Sequence, residues 1–173
     1  EMRKAVVCGA AGFIGAHLVK HLRANGRYVV GLGRSQPPDG FWGDDHKFCD
    51  LRGLPGDFGE VFDDADEVYQ MAGSVGGRGW IGNPANDALI LSNSALINNA
   101  VLNVCTRKVR PLSIFFASSG CVYSSKRLEG IRCDESDALP ADPDNAFAWE
   151  KLYSEQLYLA YARAFPTLRV RIG

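Results

Sequence analysis

Lys151 follows Phe147 by four positions in the stretch Asp144-Asn145-Ala146-Phe147-Ala148-Trp149-Glu150-Lys151. On a helix that spacing puts both side chains on one face, so an ammonium and a phenyl ring would share a site. An ammonium can hold hydroxyls or tune a neighbouring acid; a phenyl ring cannot carry a proton. A second reactive group lies in Ser118-Ser119-Gly120-Cys121, where two hydroxyls precede a thiol. The third is Gly9-Ala10-Ala11-Gly12-Phe13-Ile14-Gly15, three glycines in a G-x-x-G-x-x-G spacing between an apolar run and a helical pattern. Glycines in that setting allow a tight turn, close approach of backbone N–H groups to a pyrophosphate, and close helix–strand packing. The implied chemistry is dinucleotide binding. A tight turn that only packs is the alternative.

The second apolar run ends Gly31-Leu32-Gly33-Arg34-Ser35, with Gly33 where a ribose-binding carboxylate is expected. Losing that charge and gaining Arg34 beside a hydroxyl favours a 2′-phosphate, hence NADP over NAD. Arg34 stacked on adenine or facing water is the other reading. Cys49-Asp50-Leu51 falls where the adenine is expected, and Asp50 could accept from its amino group.

These residues need a scaffold, and the chain alternates strand and helix signals from its start. Strands are expected at Lys4–Cys8, Tyr28–Leu32, His46–Asp50, Glu67–Ala72, Leu112–Ser118 and Leu168–Ile172. Helices are expected at Ile14–Ala24, Ala85–Arg107 and about 146–164, with 33–46 and most of 120–145 as loop. This pattern means an α/β fold: a Rossmann-like, doubly wound parallel sheet with helices on both faces. The 173 residues fit one dinucleotide-binding domain. Arg169-Val170-Arg171-Ile172-Gly173 reads as a strand stopping at its carboxyl edge, so we expect the amino-terminal portion of a larger enzyme, with a C-terminal substrate domain missing from this chain.

A net charge of -1 without any Lys/Arg run argues against nucleic acid or an anionic membrane as partner. No apolar run reaches the roughly 20 residues of a bilayer span, and no signal peptide is expected before the first strand. Five cysteines at scattered spacings, without a Cys-x-x-Cys pair, suggest neither a disulfide framework nor a metal site. A reducing, cytoplasmic setting is the expectation.

Three further stretches carry a resemblance. They are Met71-Ala72-Gly73-Ser74-Val75-Gly76-Gly77-Arg78-Gly79-Trp80-Ile81, Ala117-Ser118-Ser119-Gly120-Cys121-Val122-Tyr123, and Glu135-Ser136-Asp137-Ala138-Leu139-Pro140-Ala141-Asp142-Pro143. Together with the Phe147 helix they resemble the GDP-mannose 3,5-epimerase family of extended short-chain dehydrogenase-like enzymes. That resemblance implies oxidation of a sugar nucleotide at C4 by NAD(P), proton exchange at C3 and C5, and return of the hydride. It assigns the C4 oxygen to Ser119 and the nicotinamide ribose to Lys151, with Cys121 as one of two epimerisation acid/bases. A thiol suits that role, because its unperturbed pKa of about 8.5 falls toward neutrality beside cations. Gly9, Gly12, Phe13, Ile14, Gly15, Arg34, Asp50, Leu51, Met71, Ala72, Gly73 and Lys151 would surround the dinucleotide. Gly76, Gly77, Ser119, Gly120 and Cys121 would meet a GDP-mannose type of substrate. A homodimer through the two long helices is implied as well, with Leu89, Leu96, Leu157 and Tyr161 compatible with the seam or with core packing.

The family's catalytic Tyr is Phe147 here, so removal of the C4 hydroxyl proton is expected to be impaired. By register Tyr153 and Tyr158 cannot replace it, which leaves Tyr123. Other readings of the same residues stand beside this one: Cys121 as a small buried hydrophobe, Ser119 as a backbone cap, Lys151 as a solvated helix residue, the glycines at 76, 77 and 79 as a flexible turn, Trp80 as packing. At the level of function the alternatives are another nucleotide-sugar epimerase, dehydratase or reductase, or a catalytically silent protein that binds dinucleotide or sugar nucleotide.

Overall fold

The computed structural model describes residues 2–37, 39–130 and 132–173. Six parallel strands form one sheet: β1 (Lys4–Cys8), β2 (Tyr28–Gly33), β3 (Asp45–Phe48), β4 (Glu67–Gln70), β5 (Leu112–Phe116) and β6 (Leu168–Ile172). Their order is β3-β2-β1-β4-β5-β6, so the winding reverses between β1 and β4. That reversal opens a crevice at the carboxyl ends of the strands. The helices are α1 (Phe13–Ala24), α2 (Arg78–Ile81), α3 (Asp87–Thr106), α4 (Ser125–Leu128) and α5 (Ala146–Ala164).

Period-2 alternation along β1 divides the core. Ala5 and Val7 face one side, where they pack with Val19 and Leu22 of α1, Val29 and Trp42. Val6 and Cys8 face the other, against Val101 and Leu102 of α3, Tyr158 of α5, and Phe58 and Phe62. Phe58 joins, and Phe62 ends, two short 3₁₀ turns (Pro55–Asp57 and Gly59–Phe62) that take the place of a helix between β3 and β4.

Strand ends depart from the sequence expectation for identifiable reasons. β3 stops at Phe48 because the chain turns at Asp50, whose side chain accepts from the Arg52 N–H at 3.0 Å. β4 stops at Gln70, whose side-chain amide takes over both backbone groups of Ala72, at 2.9 and 3.1 Å. The loop expected over 120–145 contains a 3₁₀ turn at Gly120–Val122, then α4, then another turn at Glu135–Ala138. The helical stretch Pro84–Thr106 corrects the expectation about apolar runs: it is long and apolar enough to cross a bilayer, and half of it is buried against the sheet. A core helix of a layered α/β fold meets the same criterion. The expected seam also divides. Leu157 and Tyr161 pack onto the core, while Leu89 and Leu96 are each 52% exposed.

Candidate active site

Two cavities open along the carboxyl rim of the sheet. The first, of about 290 Å³, is lined by Gly9, Gly12, Gly33, Arg34, Asp50, Leu51, Met71, Ala72 and Gly73, among others. Its floor is the first glycine turn. Gly9 has φ +80, and a Cβ there would lie 2.8 Å from the Ala72 backbone nitrogen, so only glycine fits between β1 and β4. A Cβ on Gly15 would come within 2.1 Å of the Gly9 carbonyl oxygen, which is what lets α1 start so close to the turn. Gly12 caps α1 with extended backbone, no side chain satisfies its first N–H groups, and no acidic residue lies in its first turn. The open N–H groups and positive end of a twelve-residue helix therefore face the crevice, a setting that accepts a pyrophosphate. Phe13 and Ile14, the first two residues of α1, are exposed.

The second cavity, of about 490 Å³, has walls that include Ser118, Ser119, Gly120, Tyr123, Glu135, Leu139 and Glu155. Ser119 caps the 3₁₀ turn at Gly120–Val122, its Oγ accepting from the Cys121 N–H at 3.3 Å. Val122 packs on Leu152 of α5, which fixes this loop against the lysine helix. Cys121 is exposed, so it is no core filler. Ser118 hydrogen-bonds to Glu155 one helical turn beyond Lys151, and its N–H donates to the Gly173 carbonyl at 2.8 Å.

Phe147 and Lys151 do share a face. Asn145 caps α5 by accepting from the Ala148 N–H at 3.0 Å, placing Phe147 in the first turn and Lys151 in the next. Lys151 is 8% exposed; its Nζ donates to the Ala117 carbonyl at 2.9 Å and lies 4.8 Å from the Phe116 ring centre and 5.8 Å from that of Phe147. Burial pulls its pKa below the usual lysine range, against the opposing pull of Glu150 and Glu155. The lysine is thus held at the end of β5, next to the serine pair. No hydroxyl stands at 147 between it and the cavity.

Tyr123 lines the second cavity, where burial and then the carboxylates of Glu135 and Glu155 push its phenol up from the ordinary tyrosine value. Tyr153 is exposed, and Tyr158 is buried with its hydroxyl donating to Asn98 at 3.1 Å. Neither faces the lysine. Gly76 is accounted for by the Trp80 ring, which a Cβ would meet at 3.0 Å, while Gly77 and Gly79 border open space. This stretch folds back as α2, and Asn86 Nδ2 donates to the Trp80 carbonyl at 2.9 Å.

Two arrangements escaped the sequence reading. Asp50 is gripped by Arg52, through Nε at 3.0 and 3.1 Å and Nη2 at 2.6 Å, and is held at about 2, chiefly by those bonds. Behind the site, Glu150, Ser154, Asn98, Gln70 and Tyr158 form a buried polar cluster. The short spacing Asp50-x-Arg52 could have suggested the first; in the second only Glu150 and Ser154 are near in sequence, and the other bonds join positions 28 to 60 apart.

Residues 5–173 match the NAD dependent epimerase/dehydratase family. GDP-mannose 3,5-epimerase 1 of Oryza sativa subsp. indica is 32% identical over 179 residues, which cover all of this chain and 46% of that protein. GDP-mannose 3,5-epimerase of Arabidopsis thaliana is 31% identical over 180 residues, with the same coverage. The chain therefore spans about half the length of these relatives. Among solved structures, MoeE5 in complex with UDP-glucuronic acid and NAD superposes with a TM-score of 0.77 at 27% identity, covering 98% of this chain and 52% of that one. A UDP-glucose 4-epimerase superposes at 0.80 with 24% identity, covering 98% and 50%.

Proposed function

The chain belongs to the NAD dependent epimerase/dehydratase family, and from that premise we propose that it forms the dinucleotide-binding and proton-transfer part of a nucleotide-sugar epimerase of the GDP-mannose 3,5-epimerase type. The observation that carries this reading is the convergence at one rim of an uncapped glycine turn, an anchored Lys151, Ser119 and a solvent-facing Cys121. Gly9, Gly12 and Gly15 with the start of α1 hold the pyrophosphate, and Met71, Ala72 and Gly73 border it. Bound there, an NAD-type dinucleotide supplies hydride acceptance and return at the sugar C4. Ser119 holds the C4 oxygen, Lys151 holds the nicotinamide ribose, and Cys121 moves a proton at C3 or C5. Phe147 leaves the C4 hydroxyl proton without its usual acceptor, so the site works slowly as it stands. At the adenosine end Gly33 and Arg34 favour a 2′-phosphate. A homodimer through the exposed Leu89 and Leu96 of α3, and a cytoplasmic setting suited to its free thiols, complete the proposal.

A catalytically silent binding protein is the second reading, and Phe147 together with the raised phenol of Tyr123 favours it. Solvent deuterium separates the two. The full-length protein carrying Phe147→Tyr should incorporate deuterium at C3 and C5 of GDP-mannose, and Cys121→Ala in that background should abolish exchange at one of these carbons. No exchange at all with the tyrosine restored would discard the epimerase.

A further inference from the structure

Hydrogen bonds close a ring through the interior beneath Lys151. The lysine Nζ is held by the Ala117 carbonyl, and the Ala117 N–H donates across the sheet to the Gln70 carbonyl at 3.2 Å. The Gln70 side chain turns inward, its Nε2 donating to Asn98 Oδ1 of α3 at 2.9 Å. Asn98 Nδ2 donates to Glu150 Oε1 at 3.3 Å and to Ser154 Oγ at 3.0 Å, and Ser154 Oγ donates to the same Glu150 oxygen at 2.7 Å. Glu150 precedes Lys151 on α5, which completes the circuit. A branch runs to the first cavity, because the same Gln70 amide holds both backbone groups of Ala72. Ala72 lines that cavity and stands where a Cβ on Gly9 would strike. Asn98 is the hub: its Nδ2 serves α5, while its Oδ1 accepts from Gln70 and from the Tyr158 hydroxyl at 3.1 Å. A flipped amide would set Nδ2 against the Gln70 donor, so one orientation satisfies the cluster. Gln70, Asn98, Glu150 and Ser154 are each at most 2% exposed, so a broken bond leaves a buried group unpaired rather than hydrated.

We propose that Asn98 and Glu150 are positioning residues for the hydride site: through Gln70 they register the Ala72 turn beside the dinucleotide with the helix that carries Lys151. This rests on the reading of the two cavities as one hydride site. Neither side chain lines either cavity, so each acts through Gln70, Ser154 and the backbone of α5. With the ring broken, the lysine helix and the dinucleotide turn can shift independently. A misplacement of about 1 Å is enough to slow a positioned reaction about 10²-fold.

The test is nicotinamide reduction by GDP-mannose in full-length protein carrying Phe147→Tyr and saturated with NAD⁺ or NADP⁺. Asn98→Leu and Glu150→Leu should each lower kcat at least about tenfold and leave the KM for GDP-mannose within about twofold, because the ring reaches the lysine and the dinucleotide turn but not the sugar pocket. Glu150→Gln removes the charge beside Lys151 but keeps the Oε1 acceptor, so it should stay within about threefold of the parent kcat. Tyr158→Phe removes one bond to Asn98 and leaves the ring whole; it should lower the Tm without changing kcat. Should Asn98→Leu fail to fold, Glu150→Leu against Glu150→Gln decides. Equal slowing by those two would assign the effect to charge rather than to the ring and overturn the proposal. Slowing by Tyr158→Phe as large as that by Asn98→Leu would overturn it too, as would rates that ignore both Asn98 and Glu150. A Phe147→Tyr parent without any nicotinamide reduction would remove the hydride site itself, a failure distinct from an active parent indifferent to the ring.

Discussion

Phe147 decides what Lys151 can do. A lysine buried between two phenyl rings and tied to a backbone carbonyl is positioned to tune a phenol, yet the ring at 5.8 Å carries none. Phe147→Tyr should therefore raise the rate of nicotinamide reduction by sugar nucleotide by about 10²–10⁴-fold, the usual weight of a positioned proton acceptor; an unchanged rate would mean that another group already takes the proton. Cys121 belongs to a different step. In the proposed function Ser119 rather than the solvent-facing Cys121 holds the C4 oxygen, so Cys121→Ala should leave nicotinamide reduction in the Phe147→Tyr background within about threefold while stopping deuterium exchange at its carbon. Loss of both signals together would instead make Cys121 part of the oxidation step. The Phe147/Lys151 pairing was legible because helix spacing is a local property. The raised phenol of Tyr123 was not, since it depends on burial and then on Glu135 and Glu155, which only folding brings about.

Among the elements, the glycine turn and the α3–α5 pair hold the site in place. Gly9 and Gly26 both have positive φ, at +80 and +75, but a Cβ at Gly26 meets nothing within 4 Å whereas at Gly9 it strikes the β4 exit. Gly26→Ala should cost only the left-handed backbone penalty, about 1 kcal/mol in a denaturant titration. Gly9→Ala should cost distinctly more and abolish dinucleotide binding; equal costs would show that β4 yields freely. Behind the turn, the buried Glu150 ties Ser154 and Asn98 through Oε1, leaving Oε2 without a partner among the described residues. Burial raises its pKa in the folded state, so the native protein keeps this proton to higher pH than the unfolded chain does. Its linkage term is thus stabilising below the ordinary glutamate range and is lost as pH rises through the raised value. Glu150→Gln should flatten the fall in stability from acid toward neutral pH, read by thermal melts across that window; an unaltered slope would place the linkage elsewhere. Periodicity revealed α3 and α5 but not this cluster, whose members gain a role only when two helices and a strand meet.

At the scale of the molecule, all-parallel strand order, reversal at β1/β4 and placement of both cavities at the carboxyl edge follow from one alternation of strand and helix signals. The sequence reading missed what lacks a period: the 3₁₀ turns on either side of Phe58, the short α2, and the division of the expected seam. Leu157 and Tyr161 lie on the sheet side of α5, and Leu89 and Leu96 lie seven apart on the outer face of α3, whose sole charged residue is Asp87. The proposed homodimer through α3 predicts that a double substitution Leu89→Asp/Leu96→Asp halves the mass seen by sedimentation without changing the circular dichroism, while an unchanged mass would overturn a dimer through α3. The function proposed above is a hydride site at the sheet rim with phenylalanine in place of a phenol at position 147. The most direct test is a stopped-flow absorbance trace of nicotinamide reduction when GDP-mannose meets full-length protein loaded with its dinucleotide. The account expects a slow, small signal from wild type, a fast one from Phe147→Tyr, and none from Phe147→Tyr/Lys151→Met. Identical traces from all three would contradict it.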